Sequence, residues 1–128
     1  SRSRLSAEEK DLILERLTAY LNESSKPFLD PLLTLRKISG HLGVNSTSLS
    51  QVINEKTGLN FNDFINSFRI EESKKLLLSD EFEKITIDAI ARMAGFNSRS
   101  AFYSAFRKHT GLTPREYLKS PNQPEETR

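Results

Sequence analysis

Gly43-Val44-Asn45-Ser46-Thr47-Ser48, leading to Thr57-Gly58-Leu59, is echoed later in the chain by Gly95-Phe96-Asn97-Ser98-Arg99-Ser100, leading to Thr110-Gly111-Leu112. At an offset of 52 residues up to Ser48/Ser100, and of 53 from Leu49/Phe102, nine positions are identical: Thr34/Thr86, Ile38/Ile90, Gly43/Gly95, Asn45/Asn97, Ser46/Ser98, Ser48/Ser100, Thr57/Thr110, Gly58/Gly111 and Leu59/Leu112. The shared residues are turn, cap and core formers. Such self-similarity marks one supersecondary unit used twice, so any difference in what the copies recognise must come from the residues that differ.

Each copy reads as three parts. A short helix comes first, Leu35 to Leu42 and Ile87 to Ala94, with Thr34 and Thr86 as N-caps and the i,i+4 pairs Ile38/Leu42 and Ile90/Ala94 facing inward. A turn of about three residues follows from Gly43 or Gly95, where glycine tolerates the positive φ of a sharp change of direction. A second helix then spans about Ser46 to Lys56 and Ser98 to His109, capped by Ser46 and Ser98 and terminated at Gly58 and Gly111. Leu49/Ile53 and Phe102/Phe106 point to the core.

Working outward, Ser6 to Asn22 reads as an amphipathic helix opened by a Ser6/Glu9 capping box, with Ile13, Leu17, Tyr20 and Leu21 on its apolar side and Leu14 flanking. Pro27 ends it. Between the copies Phe61 to Leu78 forms a connecting helix with Asn60 as N-cap and an inward stripe of Phe61, Phe64, Ile65, Phe68, Leu76 and Leu77. At about 1.5 Å per residue it spans on the order of 27 Å. Ser79 to Lys84 reads as an acidic loop, and Thr113-Pro114-Arg115-Glu116 opens a last short helix. The expected fold is all-α: residues 1–31 an N-terminal helix and connector, 32–59 a first helix-turn-helix, 60–79 the linker helix, 80–118 a second helix-turn-helix with a closing helix, and 119–128 an unstructured tail. The first residue is not Met, so Ser1 to Arg4 reads as an expression remnant or the cut edge of a longer protein.

Composition narrows the function. There is no Cys, which excludes disulfides and thiolate metal sites and suits the cytoplasm. No run approaches the roughly 18 to 20 apolar residues of a membrane span, so this chain is not expected to insert into a bilayer. Net charge is +2 but uneven: residues 89–115 hold Arg92, Arg99, Arg107, Lys108 and Arg115 with no acid, and residues 31–54 after Asp30 carry Arg36, Lys37 and His41, again with no acid. A charge run is often only a solvated face. His41 and His109 lack further ligands at metal spacing and sit at helix ends, where they act as cations near the helix dipole, and no nucleophile or phosphate-loop motif is present. Neither catalysis, a metal nor a cofactor is expected.

A helix, a glycine turn and a second helix describe the helix-turn-helix, whose second helix lies in the DNA major groove. Gly95-Phe96-Asn97-Ser98-Arg99-Ser100-Ala101-Phe102, Phe106 to Tyr117, and Phe68 to Leu77 of the linker resemble the DNA-binding domain of AraC-type transcriptional regulators over about Leu32 to Leu118. The first copy, Leu49-Ser50-Gln51-Val52-Ile53-Asn54, looks like a Bacteroidetes-like branch. The resemblance implies a sequence-specific transcriptional regulator on double-stranded DNA, with two recognition helices in successive major grooves of a non-palindromic site. Those grooves are about 34 Å apart, a span the connecting helix approaches if the DNA bends. It further implies RNA polymerase as a candidate partner and a longer parent with a sensing, dimerisation or membrane segment, through which the parent could be membrane-anchored.

The resemblance places base reading at Thr47, Ser48, Ser50 and Gln51 in the first copy and at Arg99, Ser100, Ala101, Tyr103 and Ser104 in the second. Arg99 suits guanine O6/N7, Gln51 suits adenine N6/N7, and Ala101 or the Thr47 methyl suits a thymine methyl. Ser104 stands where relatives often carry Arg. Arg36, Lys37, Lys56, Arg92, Arg107 and Lys108 suit phosphates. The competing reading for Arg99 and Gln51, and for Arg92, Arg36 and Lys37, is a solvated helix surface. Phe96, Phe102, Phe106 and Tyr117 read as core, and Arg69 as structural. The alternative function is a helical protein-interaction or dimerisation module of a larger signalling protein, docking through the N-terminal helix and loop 79–84.

Overall fold

The computed structural model describes residues 5–120; the first four residues and residues 121–128 of the expected tail lie outside them, while Lys119, expected to open that tail, is the last residue of a helix. Seven α-helices are assigned: α1 (Ala7–Leu21), α2 (Leu35–Leu42), α3 (Ser46–Thr57), α4 (Phe61–Leu78), α5 (Ile87–Met93), α6 (Arg99–Thr110) and α7 (Pro114–Lys119). No strand occurs among the described residues. The chain divides after Asn66 into two units, so α4 begins in the first and ends in the second.

In the first unit α1, α2 and α3 pack on one another. The Ser6 capping box forms as expected: the Glu9 amide donates to Ser6 Oγ at 3.0 Å and the Ser6 amide to Glu9 Oε1 at 2.8 Å. Ile13, Leu17 and Leu21 of α1 are buried together with Ile38, Leu42, Leu49, Val52, Ile53, Phe64 and Ile65. The apolar face of α1 formed by Ile13, Leu17 and Leu21 is therefore part of the first unit's core. Fully burying each such aliphatic side chain contributes about 1.5 to 3 kcal/mol. Arg16 adds a hydrogen bond from Nη2 to the Leu42 carbonyl at 2.6 Å, and the His41 ring lies against Tyr20 with centroids 4.3 Å apart. The connector holds a short 3₁₀ turn, Pro27–Leu29, that buries Phe28; the residue before the proline, Lys26, sits at φ 49°.

The second unit is built on an aromatic core. Phe96, Phe102, Phe106 and Tyr117 are buried with Ile70, Ala91, Ala94 and Ala105. Phe106 meets Phe102 and Tyr117 edge-on, each at a centroid distance of 5.6 Å, a preferred geometry for aromatic pairs. Arg69 is structural as expected, its guanidinium 5.9 Å from the Phe96 centroid. The stripe of α4 departs from expectation: Ile70 and Ser73 are fully buried, whereas Phe61, Phe68, Leu76 and Leu77 are half-buried. Ser73 tolerates this because its hydroxyl donates to the Ile70 carbonyl at 2.7 Å. The acidic segment after α4 is partly ordered into a 3₁₀ turn, Asp80–Phe82, rather than being wholly loop.

The two copies share most of their polar scaffold, bond for bond. Thr34 caps α2 by accepting the Lys37 amide at 3.1 Å, and Thr86 caps α5 by accepting the Ala89 amide at 3.0 Å. Gly43 (φ 71°) and Gly95 (φ 99°) make the turn in the left-handed region, where a Cβ would be strained. The next amides, Val44 and Phe96, reach back to the Ser39 and Ala91 carbonyls, both at 3.0 Å. At the far end Thr57 and Thr110 each donate a hydroxyl four residues back, at 2.6 and 2.7 Å, and accept the Leu59 and Leu112 amides at 3.1 and 3.0 Å.

Between these matched ends lies one correction. The N-cap of α3 is Asn45, not Ser46, while the N-cap of α6 is Ser98 as expected. The extra residue of the second copy therefore sits in the turn, and the 12-residue helices α3 and α6 run at an offset of 53 throughout. Asn45/Asn97, Ser46/Ser98 and Ser48/Ser100 are identical in sequence but do not occupy equivalent stations.

Candidate nucleic-acid interface

Register decides which side chains the two helices present. With Asn45 and Ser98 superposed as caps, Thr47, Ser48, Ser50 and Gln51 correspond to Ser100, Ala101, Tyr103 and Ser104, so the expected reading positions fall on the same stations in both units. Arg99 corresponds to Ser46.

Those two residues behave differently. Ser46 is half-buried and its hydroxyl is engaged: it lies 2.6 Å from that of Ser39, a buried residue whose Oγ also donates to the Arg36 carbonyl at 3.0 Å. Arg99 keeps 62% of its side chain exposed; its Nε lies 3.5 Å from Asp88 Oδ1 and its guanidinium 5.2 Å from the Tyr103 centroid. Tyr103 is in turn held edge-on by Phe102 at 5.8 Å. An aromatic face under the guanidinium and a carboxylate beside Nε orient Arg99.

In the first unit Thr47, Ser50 and Gln51 line one open concavity with Leu35, Ser46, Asn54 and Asn60. Thr47 is exposed, and Ser48, Ser50 and Gln51 are half-buried. Gln51 Nε2 donates to Glu55 Oε2 at 2.9 Å, and Glu55 Oε1 accepts from Lys10 Nζ at 3.0 Å. The Gln51 bond, then the Lys10 bond, hold the Glu55 carboxyl below its ordinary value. In the second unit Ser100, Ala101 and Ser104 are exposed and Tyr103 half-buried.

The expected phosphate-contacting cations are all exposed, but not equally available. Lys56 is paired with Asp11 at 2.5 Å, and Lys37 Nζ donates to the Leu32 carbonyl at 3.2 Å. Arg36 and Arg92 lie on α2 and α5, and Arg107 and Lys108 lie in the last turn of α6, where they also complement the helix dipole. Glu116 is held below its ordinary value chiefly by the Thr113 amide, which donates to it at 2.9 Å, with Arg107 contributing.

Glu55, Lys10 and Asp88 were missed as parts of these sites. The acid-free windows 31–54 and 89–115 stop one residue short of Glu55, Asp88 and Glu116, the acids that contact Gln51 of α3, Arg99 of α6 and the α7 cap. The i,i+4 spacing of Gln51 and Glu55 was the available signal; nothing in sequence indicated Lys10, which is 45 residues from its partner. Among the described residues no cluster of three His, Cys, Asp or Glu is arranged to hold a metal, and no helix is long and apolar enough to cross a membrane.

Comparison with known proteins agrees with this architecture. A family model described as a helix-turn-helix domain matches residues 38–120. The melibiose operon regulatory protein of Escherichia coli (strain K12) is 32% identical over 98 residues, covering 77% of this chain and 32% of that protein, so the chain spans about a third of that relative's length. The C-terminal domain of AraT, a response regulator from Geobacillus stearothermophilus, superposes with a TM-score of 0.70 at 29% identity over 96% of both chains. A Chromobacterium violaceum transcriptional regulator with an AraC-type DNA-binding domain shares the fold, with a TM-score of 0.69 at 23% identity over 93% of this chain and 99% of that one. The chain belongs to this helix-turn-helix domain family and is an AraC-type DNA-binding domain.

Proposed function

We propose that α3 and α6 are the recognition helices of this domain and read successive major grooves of a non-palindromic double-stranded site. The observation that carries this reading is a common scaffold with unlike outer faces. Most caps and terminators recur, yet Thr47, Ser50 and Gln51 stand where the second unit has Ser100, Tyr103 and Ser104, and Arg99 has only Ser46, its hydroxyl engaged by Ser39, as its counterpart. One unit offers an amide and hydroxyls; the other offers an oriented guanidinium beside the Ala101 methyl. These suit adenine, guanine and thymine edges respectively.

Arg36, Lys37, Arg92, Arg107 and Lys108 serve phosphates and set position without specifying sequence. Lys56 contributes less, because Asp11 competes for its ammonium. The domain acts by binding and not by catalysis, in the cytoplasm where the DNA is. The short span relative to the melibiose regulator suits a domain of a longer regulator whose other segments sense a signal, dimerise or anchor it, with RNA polymerase as a further partner. Fluorescence anisotropy of a labelled duplex over a salt series tests the electrostatic part: affinity should fall steeply as salt rises, and salt-independent binding would contradict it.

A further inference from the structure

Gln51 stands at the end of a hydrogen-bond chain that leaves its own helix. Its Nε2 donates to Glu55 Oε2 at 2.9 Å, and Lys10 Nζ of α1 donates to Glu55 Oε1 at 3.0 Å. The ammonium is well sheltered, with 22% of the Lys10 side chain exposed against 41% for Glu55. One residue further along each helix, Lys56 and Asp11 make a second pair at 2.5 Å. Two pairs of opposite polarity fix how α1 lies on α3.

The chemistry of the chain is directional. An ionised carboxylate only accepts hydrogen bonds, so the Gln51 amide must turn its NH₂ group toward Glu55. One N–H is thereby consumed, leaving the carbonyl oxygen and one N–H for a ligand. Adenine offers a matching donor and acceptor at N6 and N7. Guanine offers two acceptors, O6 and N7, and a bidentate contact with it would need both N–H groups. A freely turning amide can supply both; an amide held by Glu55 cannot.

We propose that Glu55, held in place by Lys10 of α1, is a positioning residue that sets the Gln51 amide for adenine and against guanine, which makes α1 a specificity element of the first recognition helix. This rests on the reading of Gln51 as a base-contacting side chain. α1 lies outside the residues matched by the family model, 38–120.

The test uses the full chain and a duplex it selects from a random pool. At the base pair where Gln51→Ala abolishes preference, the adenine-to-guanine affinity ratio is measured for wild type, Glu55→Ala and Lys10→Met. A ratio at one base pair cancels any general change in charge. Both variants should lower it about three- to tenfold, the range of one hydrogen bond's net contribution, with melting curves showing the chain folded. An unchanged ratio in both, with Gln51→Ala still abolishing preference, overturns the proposal and leaves the base reading standing. Guanine preferred at that position overturns it as well. If Gln51→Ala alters preference nowhere, proposal and reading fall together.

Discussion

The side chains of Asn45 and Ser98 do the same work at the starts of α3 and α6, each accepting the amide N–H three residues on, Ser48 and Ala101, at 3.1 Å. Their equivalence sets the register of everything downstream. It makes Gln51 the counterpart of Ser104 and the second unit's Arg99 the counterpart of Ser46, whose hydroxyl is engaged by Ser39.

Caps of this kind contribute about 1 kcal/mol each. Asn45→Ala and Ser98→Ala should each lower stability by roughly that amount in urea unfolding. Asn97→Ala should stay within about 0.5 kcal/mol of wild type, although Asn97 matches Asn45 in the sequence repeat. A large loss at Asn97 would return the extra residue to the helix.

The helix α1 belongs to the first unit's core. Leu17 is fully buried, so Leu17→Ala should cost about 2 to 5 kcal/mol, and removing residues 1–25 should unfold the first unit. Thermal unfolding followed by circular dichroism checks both. A truncated chain melting like the intact one would restore α1 as a free docking helix.

Arg99 and Lys108 separate specificity from affinity. Arg99→Ala should relax preference at one base pair at a cost of about 1 to 3 kcal/mol, whereas Lys108→Ala should weaken all sequences alike and reduce the salt slope by about 1. Titrating both variants against matched and single-substituted duplexes distinguishes them. The opposite pattern would exchange their roles.

Two carboxyls give the fold an acid-side pH dependence. Glu116, bonded to the Thr113 amide, and Glu55, bonded to Gln51 and Lys10, are both held below their ordinary value. In acid the unfolded chain therefore binds more protons at these sites than the folded one. Their contribution to stability is complete above the ordinary carboxylate range and is lost as pH falls through the depressed folded values. Glu116→Gln should flatten the acid limb of a stability–pH profile without altering the pH dependence near neutrality; an unchanged acid limb would count against the cap.

Much of this was legible in the sequence because the signals are local. Ser6 with Glu9, Thr34, Thr86, Asn60 and Thr113 announce helix starts through short-range side-chain-to-backbone bonds, and the spacing of Phe102, Phe106 and Tyr117 announces a core. What escaped depends on tertiary contact or on rivals of equal propensity. Asn45 and Ser46 both cap well, and only the burial of Ser39, which takes up the Ser46 hydroxyl, decides between them. Ser73 is buried where a polar residue reads as exposed, because its hydroxyl is satisfied within its own helix. Lys10 and Asp88 reach Glu55 of α3 and Arg99 of α6 only because α1 packs on α3 and α5 on α6.

The central claim is that two unlike helices read one asymmetric site, and selection of bound duplexes from a random pool tests it most directly. The account predicts a non-palindromic motif of two different half-sites centred about 10 base pairs apart, one turn of B-DNA, with guanine preferred in the half-site lost in Arg99→Ala. A palindromic motif, a single half-site, or no enrichment over random sequence would contradict it.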